Sequence, residues 1–344
     1  MIKIKESTHA DEAWNTRLIE SNLATVYQSQ EYAEHHLHEG RIPYFLRFYD
    51  DQSIKAQLLV GTDKRFSNNS IKSKILKNIS ALKQIYCYWT YGPVIFDKEY
   101  SNEIYLALGK FLKEKKFVAS GWQNPLCTSG TNNTDNYFQL QPWSTFIIDL
   151  TQPKEKIFDL IDNHSGRKNI RRSQDRGVNV EQITEENFHQ YAKLRALDRN
   201  MHLTNDELED RIEWWRSVKR LGYSGFIASK NEKPIGGILF SSFGKHIIEV
   251  GIVRSKEDTS NHYYSQDLLK WKIIEWGIEN KMLYYNLSGF NPEPKSAKEE
   301  GIFSEITCAF VFPALEKLIK DKKIKKDETI LLPITGSGLK EPIL

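Results

Sequence analysis

Between Tyr223 and Gly289 the chain lays out three extended apolar runs, one long amphipathic segment and a short closing run, and few folds accommodate that order. The runs are Tyr223–Ser229, Pro234–Phe243 and Ile247–Val253, divided by polar turn residues and by Gly244-Lys245. A helix from Ser265 to Asn280 follows, then a strand through Leu283-Tyr284-Tyr285-Asn286-Leu287. Strands feeding one another and then a helix give a mixed α/β unit, not a sandwich or a bundle. An open sheet carrying a helix leaves a crevice beside its strand ends, where ligands commonly sit. Within the helix, Leu269, Ile273 and Trp276 form one apolar stripe and Trp271, Ile274 and Ile278 another, so it is expected to pack on two sides.

The first half repeats the pattern. Pro43–Tyr49 and Ile54–Val60 read as strands around the Asp50-Asp51 turn, and 62–81 as a polar excursion. Ile85–Phe96 is an aromatic strand that Gly92-Pro93 should bend, because proline cannot donate to a ladder. Asn102–Lys115 is helical and Phe117–Trp122 extended. Strand, turn, strand, strand, helix, strand thus occurs twice, with Gln52–Val60 answering Lys233–Phe240 and the helix from Asn102 answering that from Ser265. At 344 residues the chain exceeds the roughly 100 to 200 residues of one domain, in keeping with two copies. The join is placed in the polar stretch Asn132–Pro142, giving domains 1–142 and 143–314.

Gln152–Asn163, Glu181–Leu197 and Leu203–Arg220 read as helices, the last with a capping box of Thr204 and Glu207. The net charge of +3 demands no polyanionic partner. Cys87, Cys127 and Cys308 are far apart and read as reduced core thiols. The opening Met-Ile-Lys-Ile-Lys-Glu-Ser has no signal-peptide core, so a cytoplasmic protein is expected. The histidines form no HxxxH or HExxH pattern, so no metal is expected.

The run Arg167-Lys-Asn-Ile-Arg-Arg-Ser-Gln-Asp-Arg-Gly177-Val178 carries the most chemistry. Arg167 and Arg171, four apart, offer two guanidinium forks on one helix face, Asn169 adds an amide, and Gly177 stops the helix. A solvated basic helix is the competing reading. A second basic segment, Lys317–Lys326, reads as a solvated helix end that could assist RNA or anionic-membrane binding.

This run resembles the Arg-x-Asn-Ile-Arg-x-Ala-x-x-x-Gly-Val pattern of the FemABX family, aminoacyl-tRNA-dependent peptidyltransferases that extend the peptide of cell-wall precursors. Gln28–Tyr32, Gly92-Pro93-Val94, Leu268–Gly277 and Tyr285–Gly289 are similar to further motifs of that family, in order along the chain. The resemblance implies a mixed α/β (α+β) chain of two tandem GNAT-like (N-acyltransferase-like) domains in the compact form without a helical arm, with the tail 315–344 completing the first. It implies a monomer that takes aminoacyl-tRNA as co-substrate and an anionic, amine-bearing acceptor such as a nucleotide-linked or lipid-linked muropeptide, with peripheral contact at the inner membrane face. Gln28, Tyr32, Arg167, Asn169, Arg171, Arg199, Tyr264 and Tyr285 are the implied substrate-binding residues, and Asn286 and Glu305 the candidate catalytic positions.

Three departures alter charge near the implied groove. The family's Phe-Lys is missing around Gly301–Ile306, His35-His36 stand where a phosphate-binding lysine is expected, and Asn286 replaces an aspartate. No tightly bound cofactor is expected. Acetyl-CoA enzymes cradle pyrophosphate on a glycine-bearing loop at a helix N-terminus, and Asn261–Gln266 has no glycine and an aromatic pair. Transfer from acyl-CoA to a sugar or small amine for a surface polysaccharide, and a non-catalytic binding module, are the alternatives.

Overall fold

The computed structural model describes residues 2–64, 85–127, 137–140 and 144–290. Cys308, Glu305, the Gly301–Ile306 and Lys317–Lys326 segments, the tail 315–344 and most of the Asn132–Pro142 join lie outside the described residues. Two compact units divide the chain, one running up to Gln141 with Arg220–Gly222 and Ser242–His246, the other formed by Pro142–Lys219, Tyr223–Ser241 and the residues from Ile247 on.

In the first unit β1 (Lys3–Ser7), β2 (Ile42–Asp50), β3 (Ser53–Lys64), β4 (Ile85–Trp89) and β6 (Phe117–Gly121) are adjacent in that order, and β5 (Val94–Ile95) pairs with β3. A two-residue turn joins β2 to β3, with Asp51 at φ 49°. The aromatic run breaks at Gly92-Pro93 as the sequence predicts. β4 ends at Trp89, and Val94-Ile95 return to pair with Gln57 and Ala56 of β3. The three helices are α1 (Trp14–Ser21), α2 (Gln30–His38) and α3 (Ser101–Glu114). α3 carries the chain from β4 to β6, which are parallel, and buries Ile104, Leu108 and Leu112, one residue per turn. Cys87 and Cys127 are free and buried, and burial pushes their thiols up to about 12 and about 11.

The second unit has six strands, β7 (Ser144–Asp149), β8 (Asn179–Gln182), β9 (Tyr223–Lys230), β10 (Lys233–Phe243), β11 (His246–Arg254) and β12 (Tyr284–Phe290), in the order β7-β12-β11-β10-β9-β8. Its helices are α4 (Lys154–Leu160), α5 (Lys168–Asp175), α6 (Phe188–Asp198), α7 (Asn205–Lys219), α8 (Lys256–Ser260) and α9 (Ser265–Glu279). The succession β9-β10-β11-α9-β12 repeats β2-β3-β4-α3-β6, the doubled order that the sequence shows.

Adjacent glycines let helices close on both faces of this sheet. A Cβ on Gly236 would lie 2.3 Å from Ser265 Oγ, at the start of α9, and one on Gly237 would lie 2.7 Å from the Tyr191 ring of α6. α9 buries Leu268, Leu269, Trp271, Ile273 and Ile274, which covers both expected stripes.

Two helix expectations are corrected. Glu181–Leu197 is not one helix, because Glu181 and Gln182 belong to edge strand β8 and α6 begins only at Phe188. Between them Thr184 N–H donates to Asn187 Oδ1 at 2.7 Å and Asn187 N–H to Thr184 Oγ1 at 3.4 Å, a turn that competes with helix for those backbone groups. The Gln152–Asn163 helix is shorter, Lys154–Leu160, and Asp162 beyond it turns back to accept from Ser165 N–H.

Candidate functional site

α5 begins after a turn of π-helix over Asn163–Arg167 and is capped by Arg176, and Gly177 beyond it has the φ of +69° that fits the stop signal. Arg167 and Arg171 both turn toward α4, the face-sharing that their spacing predicts. Arg167 Nη1 donates to Asp159 Oδ1 at 2.9 Å, and the Arg171 guanidinium lies over the Phe158 ring at 5.5 Å. Asn169 is buried, and its Nδ2 donates to Asp267 Oδ2 at 2.9 Å, tying α5 to the first turn of α9.

The remaining arginines, passed over in the sequence reading, close on Tyr264. Arg172 and Arg176 lie 5.8 and 5.5 Å from its ring centroid, and Arg176 also donates to the carbonyls of Asn261 and His262. Their signal was present in the sequence as the i, i+4 partner row beside Arg167 and Arg171.

Tyr264 occupies the N-cap of α9 in the left-handed region at φ 57°. The first amide of the helix, Ser265 N–H, donates at 3.0 Å to Oδ1 of buried Asp258. Burial raises the Asp258 carboxyl while the Ser265 contacts draw it back down. A side-chain carboxylate therefore stands where a helix N-terminus would otherwise receive an external anion.

A second cluster lies at the middle of β11 and β12. In β11, Ile247 faces α9, its Cδ1 lying 2.9 Å from where a Gly277 Cβ would be. Gly251 faces α6, a Cβ there lying 2.9 Å from Tyr191 Oη. Residues four apart on a regular strand share a face, so the alternation slips once between them, and Glu249 sits in that interval. Tyr285 Oη donates to Glu249 Oε2 at 3.0 Å, and Lys270 Nζ of α9 stands 3.6 Å from the same oxygen. Tyr285 is fully buried, and burial foremost, with the Glu249 charge and hydrogen bond, drives its hydroxyl pKa well above the usual phenol value.

β12 is irregular at the same level. Its register with β7 shifts between Asn286 and Gly289, Ser288 has φ 66°, and Ser288 Oγ donates to the Glu249 carbonyl at 2.6 Å. Asn286 is fully buried. Its Oδ1 accepts from Ser288 N–H at 2.9 Å and from Thr145 Oγ1 at 2.6 Å, and its Nδ2 has no partner among the described residues. Glu249 and Lys270 were missed in the sequence reading, although a lone carboxylate within Ile-Ile-Glu-Val-Gly-Ile-Val breaks an otherwise apolar strand.

Of the other implied site residues, Gln28 and Tyr32 belong to the first unit and Arg199 to the second. Gln28, in the first unit, is fully buried, with Nε2 donating to Thr90 O and Oε1 accepting from Leu59 N–H, both at 2.8 Å. Tyr32 packs edge-on against Tyr27 and His36. Arg199, in the second unit, is exposed at the end of α6.

Two units of open sheet, each with a helix carrying the chain between its last strands, make this a tandem GNAT-like fold. The same fold is found in the crystal structure of FemX, which aligns over 85% of this chain and 90% of its own with a TM-score of 0.55 and 11% identity. A tandem GNAT protein from the clavulanic acid biosynthesis pathway aligns over 83% and 89% with a TM-score of 0.44 and 8% identity. The C-terminal domain of a putative lysylphosphatidylglycerol synthetase from Agrobacterium fabrum aligns over 83% and 81% with a TM-score of 0.42 and 13% identity. At such identities the likeness is one of fold. No protein-family model and no curated protein matches the sequence. Among the described residues no helix is long and apolar enough to cross a membrane.

Proposed function

We propose that this protein is an aminoacyltransferase that moves an aminoacyl group from aminoacyl-tRNA onto the amine of an anionic acceptor, such as a nucleotide-linked or lipid-linked cell-wall precursor peptide. The FemX fold over 85% of the chain carries the reading. The in-order resemblance from Gln28 to Gly289 supports it, as does the capping of α9 by Asp258, which leaves its first amide occupied where a CoA pyrophosphate would bind. The tRNA ester is already activated, so the protein's task is to align amine and carbonyl and to stabilise the developing oxyanion. Arg167, Arg171 and Arg199 are proposed to hold phosphates of the acceptor or of the RNA, and Tyr264 to line the bound segment, whereas Asn169 and Tyr285 are too deeply buried to touch it. Asn169 and Tyr285 would act mainly by fixing α9 and Glu249, the groups to which they are bonded.

The test is to incubate the purified protein with charged total tRNA, acetyl-CoA and a panel of amine acceptors, and to follow acceptor mass. Aminoacyl addition abolished by RNase is the expected result. CoA-dependent acylation overturns the reading, and saturable acceptor binding without transfer points to a non-catalytic module.

A further inference from the structure

We propose that Glu249 is the proton acceptor of this transfer, a catalytic role that rests on the aminoacyltransferase reading above. Its two carboxylate oxygens are in different situations. Oε2 is organised by the buried Tyr285 hydroxyl at 3.0 Å and by the Lys270 ammonium at 3.6 Å. Oε1 has no hydrogen-bond partner among the described residues, and the Glu249 side chain as a whole retains 10% exposure. A carboxylate fixed through one oxygen with the other presented is the arrangement that general-base catalysis requires.

The backbone supplies a reason for the placement. Glu249 stands where β11 slips its alternation, opposite the irregular Asn286–Gly289 turn of β12, and local slips of this kind re-aim a side chain out of a ladder. Lys270 from α9 and Tyr285 from β12 face Glu249, and the Tyr191 phenol of α6 lies within reach of its charge. Burial chiefly pushes the Tyr191 phenol up to about 12 and the Tyr285 phenol well above its ordinary value, so both hydroxyls keep their protons at neutral pH.

In the step, the acceptor nitrogen bonds to the ester carbonyl carbon, and the carbonyl–oxygen bond to the tRNA ribose breaks. Glu249 Oε1 takes the proton that the nitrogen sheds and returns it to the departing ribose oxygen, so the carboxylate is regenerated and one amide and one hydroxyl result. Lys270 and Tyr285 are positioning residues that hold the carboxylate.

The test compares wild type, Glu249→Gln, Glu249→Asp, Lys270→Met and Tyr285→Phe in the charged-tRNA assay, with kcat and KM read separately across pH. Glu249→Gln is expected to lower kcat about 100-fold or more with KM little changed, and to lose the acid limb of the wild-type kcat profile. Lys270→Met and Tyr285→Phe are expected to lower kcat less and to keep that limb. Wild-type kcat in Glu249→Gln overturns the role of Glu249 while leaving the transferase reading standing. No transfer by the wild type from any donor overturns both. If the Gln variant does not fold, Glu249→Asp, which keeps the charge but withdraws it by one methylene, decides in its place: a reduced kcat at unchanged KM supports the role, and an unchanged kcat overturns it.

Discussion

A buried amide, that of Asn169, ties α5 to the first turn of α9. Its Nδ2 lies 2.9 Å from Asp267 Oδ2, an amide-to-carboxylate bond that a small change of charge converts into repulsion. Asn169→Asp would set two carboxylates against one another in a buried place, where one must stay protonated or the helices must part. The expected loss is about 2 to 4 kcal/mol at pH 7, larger than that of Asn169→Ala, and it should shrink in acid as the new carboxyl takes up its proton. Denaturant melts at pH 7 and pH 5 measure it, and equal losses at the two pH values would count against the pair. Sequence spacing placed Asn169 on a helix beside the two arginines. Its partner ninety-eight residues on was not legible, because nothing in a linear pattern says which helix packs on which.

At the scale of elements, the strands, turns and long helices were readable because their periods and punctuation agree with where they sit. The Thr204–Glu207 capping box is formed as read, with Thr204 N–H donating to Glu207 Oε2 at 2.8 Å and Glu207 N–H to Thr204 Oγ1 at 3.3 Å. Thr204→Ala is expected to cost about 1 kcal/mol, seen as a lowered Tm with unchanged far-UV circular dichroism. Gly236→Ala should cost more, about 1 to 3 kcal/mol, because its Cβ would meet Ser265 Oγ at 2.3 Å and Cβ at 3.1 Å, both on the first residue of a fixed helix. If Gly236→Ala melts like wild type, α9 is not seated on β10 as described. What escaped the sequence reading was irregularity. The Thr184–Asn187 turn interrupts a run whose spacing alone reads as helix, and the slip in β11 has no compositional marker except Glu249 itself. The latter omission matters most for function, since the slip sets where that carboxylate stands.

For the whole molecule, the doubled order of strands and helix was legible because each copy needs the same apolar periods to cover its own sheet, whereas the charges that decide pH response depend on burial. His36 is buried against Tyr32 and Tyr88, and burial first, with Arg41 and His35, lowers its pKa from the ordinary 6.5 to about 4. Burial also lowers His246 to about 4. In both cases the folded value lies below the unfolded one, so between these limits the unfolded chain binds more protons. Stability is then full above about pH 6.5 and is lost as pH falls toward 4. Asp11, Asp149 and Glu275, whose carboxyls are lowered, also lose their contribution in acid, while Asp258, raised by burial, works in the opposite sense. Comparing wild type with His36→Gln removes these shared contributions, and glutamine can still accept from the Tyr88 hydroxyl, which lies 3.2 Å from His36 Nδ1. At about 1.4 kcal/mol per pKa unit, the wild type should lose up to about 3 kcal/mol more than His36→Gln between pH 7 and pH 4.5, measured by urea melts at matched ionic strength. Parallel pH profiles for the two proteins would mean that His36 carries no proton linkage, and the acid sensitivity would have to be sought at His246 and at His35, which burial also lowers.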